Sequence, residues 1–287
     1  VAAEQFPSNY YAWDRLAKAK NAVVRSIGVA DGPNKAQRWN TALLEAINER
    51  TAAVALSHIH WAEGCLYDLP ALRAKTRAVG AWLIVDGTQS VGALPFDQRK
   101  IQADALVCGG YKWLMGPYAT ALAYYGPAMD NGVPIEENWI NRKGSQDFRN
   151  LVHYQDAYQP LAGRYSVGEQ SNFVLLPMLE AALQQLIAWE PARIQAYCAT
   201  LNAPYLERLK SLGFKIAPAQ ERSHHLLGVQ LPNELSMDMV QTALQRANVL
   251  VSMRGQSIRI SPNVYNNTED WERLTAALEQ IATAKST

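Results

Sequence analysis

Apolar positions along this chain keep two different rhythms. Compact apolar runs at residues 52–56, 82–85, 105–108 and 120–125 have strand length. The last three read as strands covered on both faces. Between and around them, apolar residues recur at helical spacing. Residues 9–20 predict a helix and 22–27 a strand, followed by a loop over 29–38. Leu43, Leu44 and Ile47 predict a helix capped at Asn40. Asp68 is a cap for a second helix bearing Leu69, Leu72 and Val79, which Gly80 ends.

The second half differs. Residues 126–166 are irregular and rich in polar and aromatic groups. A long amphipathic helix over 174–186 and another over 191–212 come next. Short strands at 226–231, 249–253 and 258–260 then enclose a helix at 237–247. A last helix carries Trp271, Leu274, Leu278 and Ile281, with its cap expected near Thr268. The pattern predicts an α/β fold with a mostly parallel sheet flanked by helices, and a smaller C-terminal α/β domain. The expected division is 1–170 for the large domain and 171–287 for the long helices and small domain.

Composition narrows the function. With 48% hydrophobic and 18% charged residues, the chain has the profile of a folded globular protein. A formal net charge of +1 and the lack of a basic run give no surface for nucleic acid or membrane, which leaves a small polar substrate. Cys65, Cys108 and Cys198 are odd in number, scattered and without metal-type spacing. They read as buried thiols in a reducing compartment, the cytoplasm. His58 and His60 alternate on what reads as one strand face; two ligands are too few for a metal site.

Two segments carry chemistry. In Val85-Asp86-Gly87-Thr88-Gln89-Ser90 an acid closes an apolar strand before a tight polar turn. In Cys108-Gly109-Gly110-Tyr111-Lys112-Trp113 a strand runs through two glycines, which admit close approach of backbone and ligand, into a lysine. Parallel sheets bind ligands at the carboxyl ends of their strands. A lysine amine paired with a nearby carboxylate is what pyridoxal phosphate needs, one for its aldehyde and one for its ring nitrogen. Taken singly, an acid at a strand end is more often a turn or helix cap, and one lysine after two glycines proves nothing.

The longer stretches 85–97 and 110–117 resemble the signature of the class V aminotransferase family of fold-type I pyridoxal-phosphate enzymes. That family includes kynureninases, cysteine desulfurases, selenocysteine lyases and isopenicillin N epimerase-like proteins, and the likeness runs from about Gln5 to Ile281. It implies that Lys112 is the Schiff-base lysine and Asp86 the partner of the pyridine nitrogen. It places Gln89 near the cofactor's phenolic oxygen, Tyr111 on its phosphate and Phe6 stacked on its ring. Arg259 matches the arginine that takes the substrate carboxylate, and Arg254 is a second candidate for that pocket. Gly144-Ser145 resembles a loop that reaches the phosphate in a neighbouring subunit, which implies a homodimer with shared sites. Trp139 and Asn141 are pocket candidates from the same loop.

Departures from the family pattern shape the expectation. No cysteine stands between Val249 and Arg259, which argues against persulfide chemistry. Tyr111 replaces the desulfurase histidine, and Trp61 stands where an asparagine is usual. The chain opens at Val1 without Met, and no phosphate-holding helix start precedes Phe6. Either a segment carrying it is missing or the first element begins abruptly. Three readings follow: an aminotransferase acting on an amino acid, a lyase of the kynureninase or selenocysteine lyase type, and a non-catalytic truncated relative that serves as a binding module.

Overall fold

The structure, a computed structural model, describes residues 1–283; the last four residues of the expected second domain lie outside the described residues. Strands β1 (Ala53–Ser57), β2 (Trp82–Asp86), β3 (Ala105–Gly109) and β4 (Ala121–Tyr125) form one sheet in that order. The first three are parallel and β4 runs antiparallel to β3. Helices α1 (Ser8–Ala19), α2 (Lys35–Ala46), α3 (Leu69–Ala78) and the short α4 (Gln98–Ile101) accompany them.

Alternation along the strands decides what each face does. Val54, Leu56, Leu83 and Val85 project to one face and are buried with Trp39 and Leu43 of α2 and Leu69 and Leu72 of α3. Burying a side chain such as Leu83 contributes about 1.5–3 kcal/mol. The register sets Ser57 beside Asp86, Asp86 beside Val107, and Gly109 beside Ala121. Those five therefore share the opposite face, at the carboxyl end of the parallel strands.

A second sheet, all antiparallel, has the order β5-β6-β8-β7. Its strands are β5 (Lys215–Ile216), β6 (Leu227–Gln230), β7 (Ser252–Arg254) and β8 (Ser257–Ile260). Helices α6 (Pro191–Ser211), α7 (Met237–Arg246) and α8 (Thr268–Thr283) close its core around Leu209, Leu227, Val240, Ile258, Trp271 and Leu278. Between the sheets lies a third apolar cluster. It joins Cys108, Trp113 and Leu114 to Leu186 of α5 (Leu175–Trp189) and to Ile194 and Cys198 of α6. No helix among the described residues is long and apolar enough to cross a membrane.

Three local expectations are corrected. Residues 22–27 form no strand: only Ile27 pairs, in a single parallel bridge to Ala2. Helix α2 begins at Lys35, so Asn40 lies inside it, bonded to the Ala36 and Leu66 carbonyls. The helix start is instead satisfied by Glu221, whose Oε2 accepts from the amides of Ala36 at 3.0 Å and Gln37 at 3.4 Å. No local sequence signal announces a cap supplied from so far along the chain. Strand β4 is an exposed edge rather than a covered strand, with Leu122 and Tyr124 about two-fifths exposed. Helix α8 is capped near Thr268 as expected, by the adjacent Asn267, whose Oδ1 accepts from the amides of Glu269 and Asp270 at 2.9 and 3.2 Å.

Candidate active site

At the carboxyl end of the first sheet the exposed face opens into a cavity of about 300 Å³. Ser57, Asp86, Val107, Gly109 and Ala121 form its floor; Gln5, Phe6 and Asn9 come from the chain entering α1, and Trp61 and Lys112 from loops. Asp86 is held on both sides. Its Oδ2 accepts from Asn9 Nδ2 at 2.6 Å and its Oδ1 from the Thr88 amide at 2.8 Å. Two donors leave further lone-pair positions of the carboxylate for a third. Thr88 Oγ1 in turn accepts from the Gly109 amide at 3.0 Å, tying the Asp86 turn to the end of β3.

Lys112 follows that end. Its Nζ stands 5.6 Å from the centroids of both the Phe6 and Tyr111 rings. It forms no ion pair among the described residues. Its pKa is lowered, first by burial and then by the charge of Arg259, with Arg254 adding to this and Asp86 opposing it. The free amine, the nucleophilic form, is thereby favoured. The two glycines before it allow close approach of the protein's own groups. A Cβ at Gly110 would come within 2.4 Å of Thr120 Oγ1. One at Gly109, which does line the cavity, would meet the Tyr111 ring at 3.1 Å.

Buried polar atoms without a partner are rare in folded proteins and ask for a cause. Two of the residues that carry them here line this cavity: Gln5, through both side-chain amide atoms, and Ser57, through its hydroxyl. The set therefore fits pyridoxal phosphate. It offers an amine, a fixed carboxylate, an accessible aromatic face at Phe6, a phenol at Tyr111, and polar atoms awaiting a polar guest. Gln89 also lines the cavity, with its Oε1 accepting from Trp113 Nε1 at 3.0 Å. Sequence reasoning missed Gln5, Asn9, Ser57 and Thr88. Ser57 was findable, since it ends a parallel strand next to the one Asp86 ends.

The remaining candidates lie apart from the walls. Arg259 and Arg254 stand behind Trp61. Ser145 is buried in the 126–166 loop, donating to the Ile140 carbonyl at 3.0 Å and accepting from Gln159 Nε2 at 2.9 Å. Asn141 is fully buried and donates to the Glu136 carbonyl at 2.6 Å; Trp139 packs edge-on against Phe148. None of the three lines the cavity of this chain. His58 and His60 lie past the end of β1 and do not share a strand face. His60 Nε2 bonds the Glu4 carbonyl, and the His58 ring packs against Phe96.

A buried relay joins the site to the second sheet. His225 Nε2 bonds the Gln89 carbonyl at 2.8 Å, and its Nδ1 meets Gln195 Nε2 at 2.7 Å. Gln195 Nε2 also donates to the Ala93 carbonyl at 2.7 Å, and its Oε1 accepts from the His224 amide at 2.9 Å. Because the amide nitrogen can only donate, His225 is neutral with its proton on Nε2. Burial holds its pKa down at about 4.

A mixed sheet with a lysine and a carboxylate converging at its strand ends defines a class of α/β protein built to hold a carbonyl-bearing aromatic cofactor. The chain belongs to the class-V aminotransferase family, whose model matches residues 1–274. It is 24% identical over 278 residues to the uncharacterised aminotransferase YcbU of Bacillus subtilis, covering 96% of this chain and 70% of YcbU. It is 25% identical to a cysteine desulfurase of Pectobacterium carotovorum, covering 96% and 68% of the two chains. A kynureninase of Pseudomonas fluorescens is 28% identical over 206 residues, which cover 70% of this chain and 46% of the kynureninase. The cysteine desulfurase CsdA of Escherichia coli has the same fold, with a TM-score of 0.80 at 19% identity, covering 99% of this chain and 71% of CsdA. So does the cystine C-S lyase C-DES, with a TM-score of 0.81 at 19% identity, covering 96% and 74%.

Proposed function

We propose that this chain is a pyridoxal-phosphate aminotransferase of the class V type that acts on an amino acid. The carrying observation is that Lys112 and Asp86, far apart in sequence, line one cavity with an accessible aromatic face at Phe6 and unpartnered polar atoms around it. When bound, the cofactor supplies an aldehyde for an amine and a ring that accepts the electrons freed at the substrate Cα. Lys112 would hold the aldehyde, Asp86 the ring nitrogen, Gln89 the phenolic oxygen, Tyr111 the phosphate, and Phe6 the ring face. Asn9 and the Thr88 amide keep the Asp86 carboxylate aimed. Lys112 would take the substrate Cα proton and return it elsewhere, and Arg259 would orient the substrate carboxylate.

In this reading residues 1–170 hold the cofactor and those from 171 onward close over it. Two copies share their sites through the loop of Ser145; the exposed Tyr118, Phe148 and Tyr154 support such an interface. A lyase is the second reading, favoured by Tyr111 before Lys112 and by the kynureninase match. Persulfide chemistry is disfavoured: Cys108, the cysteine lining the cavity, has its thiol pushed up to about 12 by burial.

The test is a titration of the protein with pyridoxal phosphate, followed by visible absorbance. A saturable new band in the wild type that Lys112→Ala abolishes supports the reading. No band would reject it and leave the binding-module alternative. Product analysis then separates the activities. A keto acid formed only with an amino-group acceptor means transfer, whereas alanine or ammonia released without one means a lyase.

A further inference from the structure

The hairpin of β7 and β8 brings two guanidinium groups to one face. Ser252 pairs with Arg259, and Arg254 lies two residues along from Ser252, so all three project to the same side. Both arginines grip Trp61. Arg259 Nη1 donates to the Trp61 carbonyl at 2.9 Å, and Arg259 Nη2 bonds Ser252 Oγ at 3.3 Å. The Arg254 guanidinium lies 4.9 Å from the Trp61 ring centroid. Trp61 meets Phe6 edge-on at 5.6 Å, and Phe6 in turn faces Lys112 Nζ. The two arginines thus stand one aromatic layer from the cavity.

Neither makes an ion pair among the described residues, and the Nε of each is buried without an acceptor. Several arginines elsewhere in the molecule are paired with acids, although Arg164, bonded to the Gly132 carbonyl, also has a buried Nε without an acceptor and no ion pair among the described residues. Arg73 grips both oxygens of Asp104 at 2.6 and 3.2 Å, and Arg208 pairs with Glu272 and Glu279. Arg222 has no acid, but its Nε and Nη1 are taken up by carbonyl oxygens. Arg254 has only the carbonyl of its neighbour Met253, at 2.6 Å. The pair also repel each other: Arg254 lowers the pKa of Arg259, and both lower that of Lys112. Like charges on one face are unfavourable unless an anion joins them. An α-carboxylate answers one guanidinium and leaves the other bare.

We infer that Arg254 and Arg259 form a two-anion receptor, and that the substrate is a dicarboxylic amino acid whose second carboxylate is read by Arg254. The inference rests on the site being the amino-acid site proposed above. Arg259 takes the α-carboxylate there, and Arg254, stacked on Trp61 and otherwise uncommitted, selects the side chain.

The test uses unreactive acids, so that no turnover is needed. The cofactor-loaded protein, its visible band recorded first, is titrated calorimetrically with glutarate and with valerate, a monocarboxylate of the same chain length. Glutarate should bind at least tenfold more tightly. Arg254→Gln should remove that preference while changing valerate affinity less than twofold, and Arg254→Lys should restore part of it. Arg259→Gln should weaken both acids. Equal affinities in the wild type, or an equal loss for both acids in Arg254→Gln, overturn the inference while the cofactor reading stands. A wild type without the Lys112-dependent band overturns both.

Discussion

Two buried polar clusters meet at Gln89, and they are built in opposite ways. On the side of its carbonyl, His225 and Gln195 leave nothing open: both ring nitrogens and both amide atoms have partners at 2.7 to 2.9 Å. On the side of its side chain, the cavity holds Gln5 and Ser57 with no partner and a lysine with no acid. Protein interiors satisfy their polar groups unless something else is to satisfy them. The first cluster is complete as folded and serves the fold. The second is incomplete as folded, and its gaps describe a guest. Gln89 belongs to both, so the loop after Asp86 is fixed from behind by one cluster and offered in front by the other.

Acid should separate the two most strongly. His58, His60 and His225 have pKa values held down at about 4, in each case first by burial. For His225 the Gln89 carbonyl opposes this, while His58 and His224 add to it. Unfolded, each takes its proton near pH 6.5, so the unfolded chain binds more protons below that pH. The stability these neutral rings confer is whole above about pH 6.5 and is lost progressively as pH falls toward 4. Each contributes a slope of about 1.4 kcal/mol per pH unit inside that window. Urea midpoints measured from pH 7.5 to 4.5 should hold level to about pH 6.5 and then fall, less steeply in His225→Gln. A flat profile would mean that the rings are hydrated in the folded protein.

A direct break of the complete cluster comes next. His225→Ala strands the Gln89 carbonyl and the Gln195 amide and should destabilise the protein by about 2–4 kcal/mol. Gln195→Ala should cost a similar amount, and the double variant should cost clearly less than their sum, because each change removes the other's partner. Denaturant unfolding of the four proteins measures the coupling. Strict additivity would mean that the relay is not a unit.

The difference between the clusters also marks how much the sequence disclosed. The lysine, the acid and the glutamine that face the cavity follow apolar strands directly, so strand-end chemistry and a familiar spacing exposed them. The strands themselves were legible where they are parallel and half-buried. Strand β4, as apolar as the others, was misjudged because an apolar run does not say which side is covered. Long-range satisfaction was invisible. Glu221 capping α2 and His225 bracing Gln89 both join distant parts of the chain, and neither residue lies in a motif. Asn9 holding Asp86 was hidden for the same reason. Local rules find residues that end an element; they do not find residues that complete another element from afar.

The smallest predicted effect bears hardest on the contrast, because its sign differs between the two states of the protein. Ser57 Oγ is buried and unpartnered beside Asp86. Without cofactor, Ser57→Ala removes an unmet hydroxyl and should be neutral or stabilising by up to about 1 kcal/mol. With cofactor, the same change removes a hydrogen bond to the guest and should weaken its binding by about two- to tenfold. Thermal unfolding of the cofactor-free variant and an absorbance titration of its cofactor affinity give the two readings. If Ser57→Ala destabilises the cofactor-free protein by about as much as a truncation in the His225 cluster does, the hydroxyl already has a partner in solution. The cavity would then be no less complete than the relay behind it.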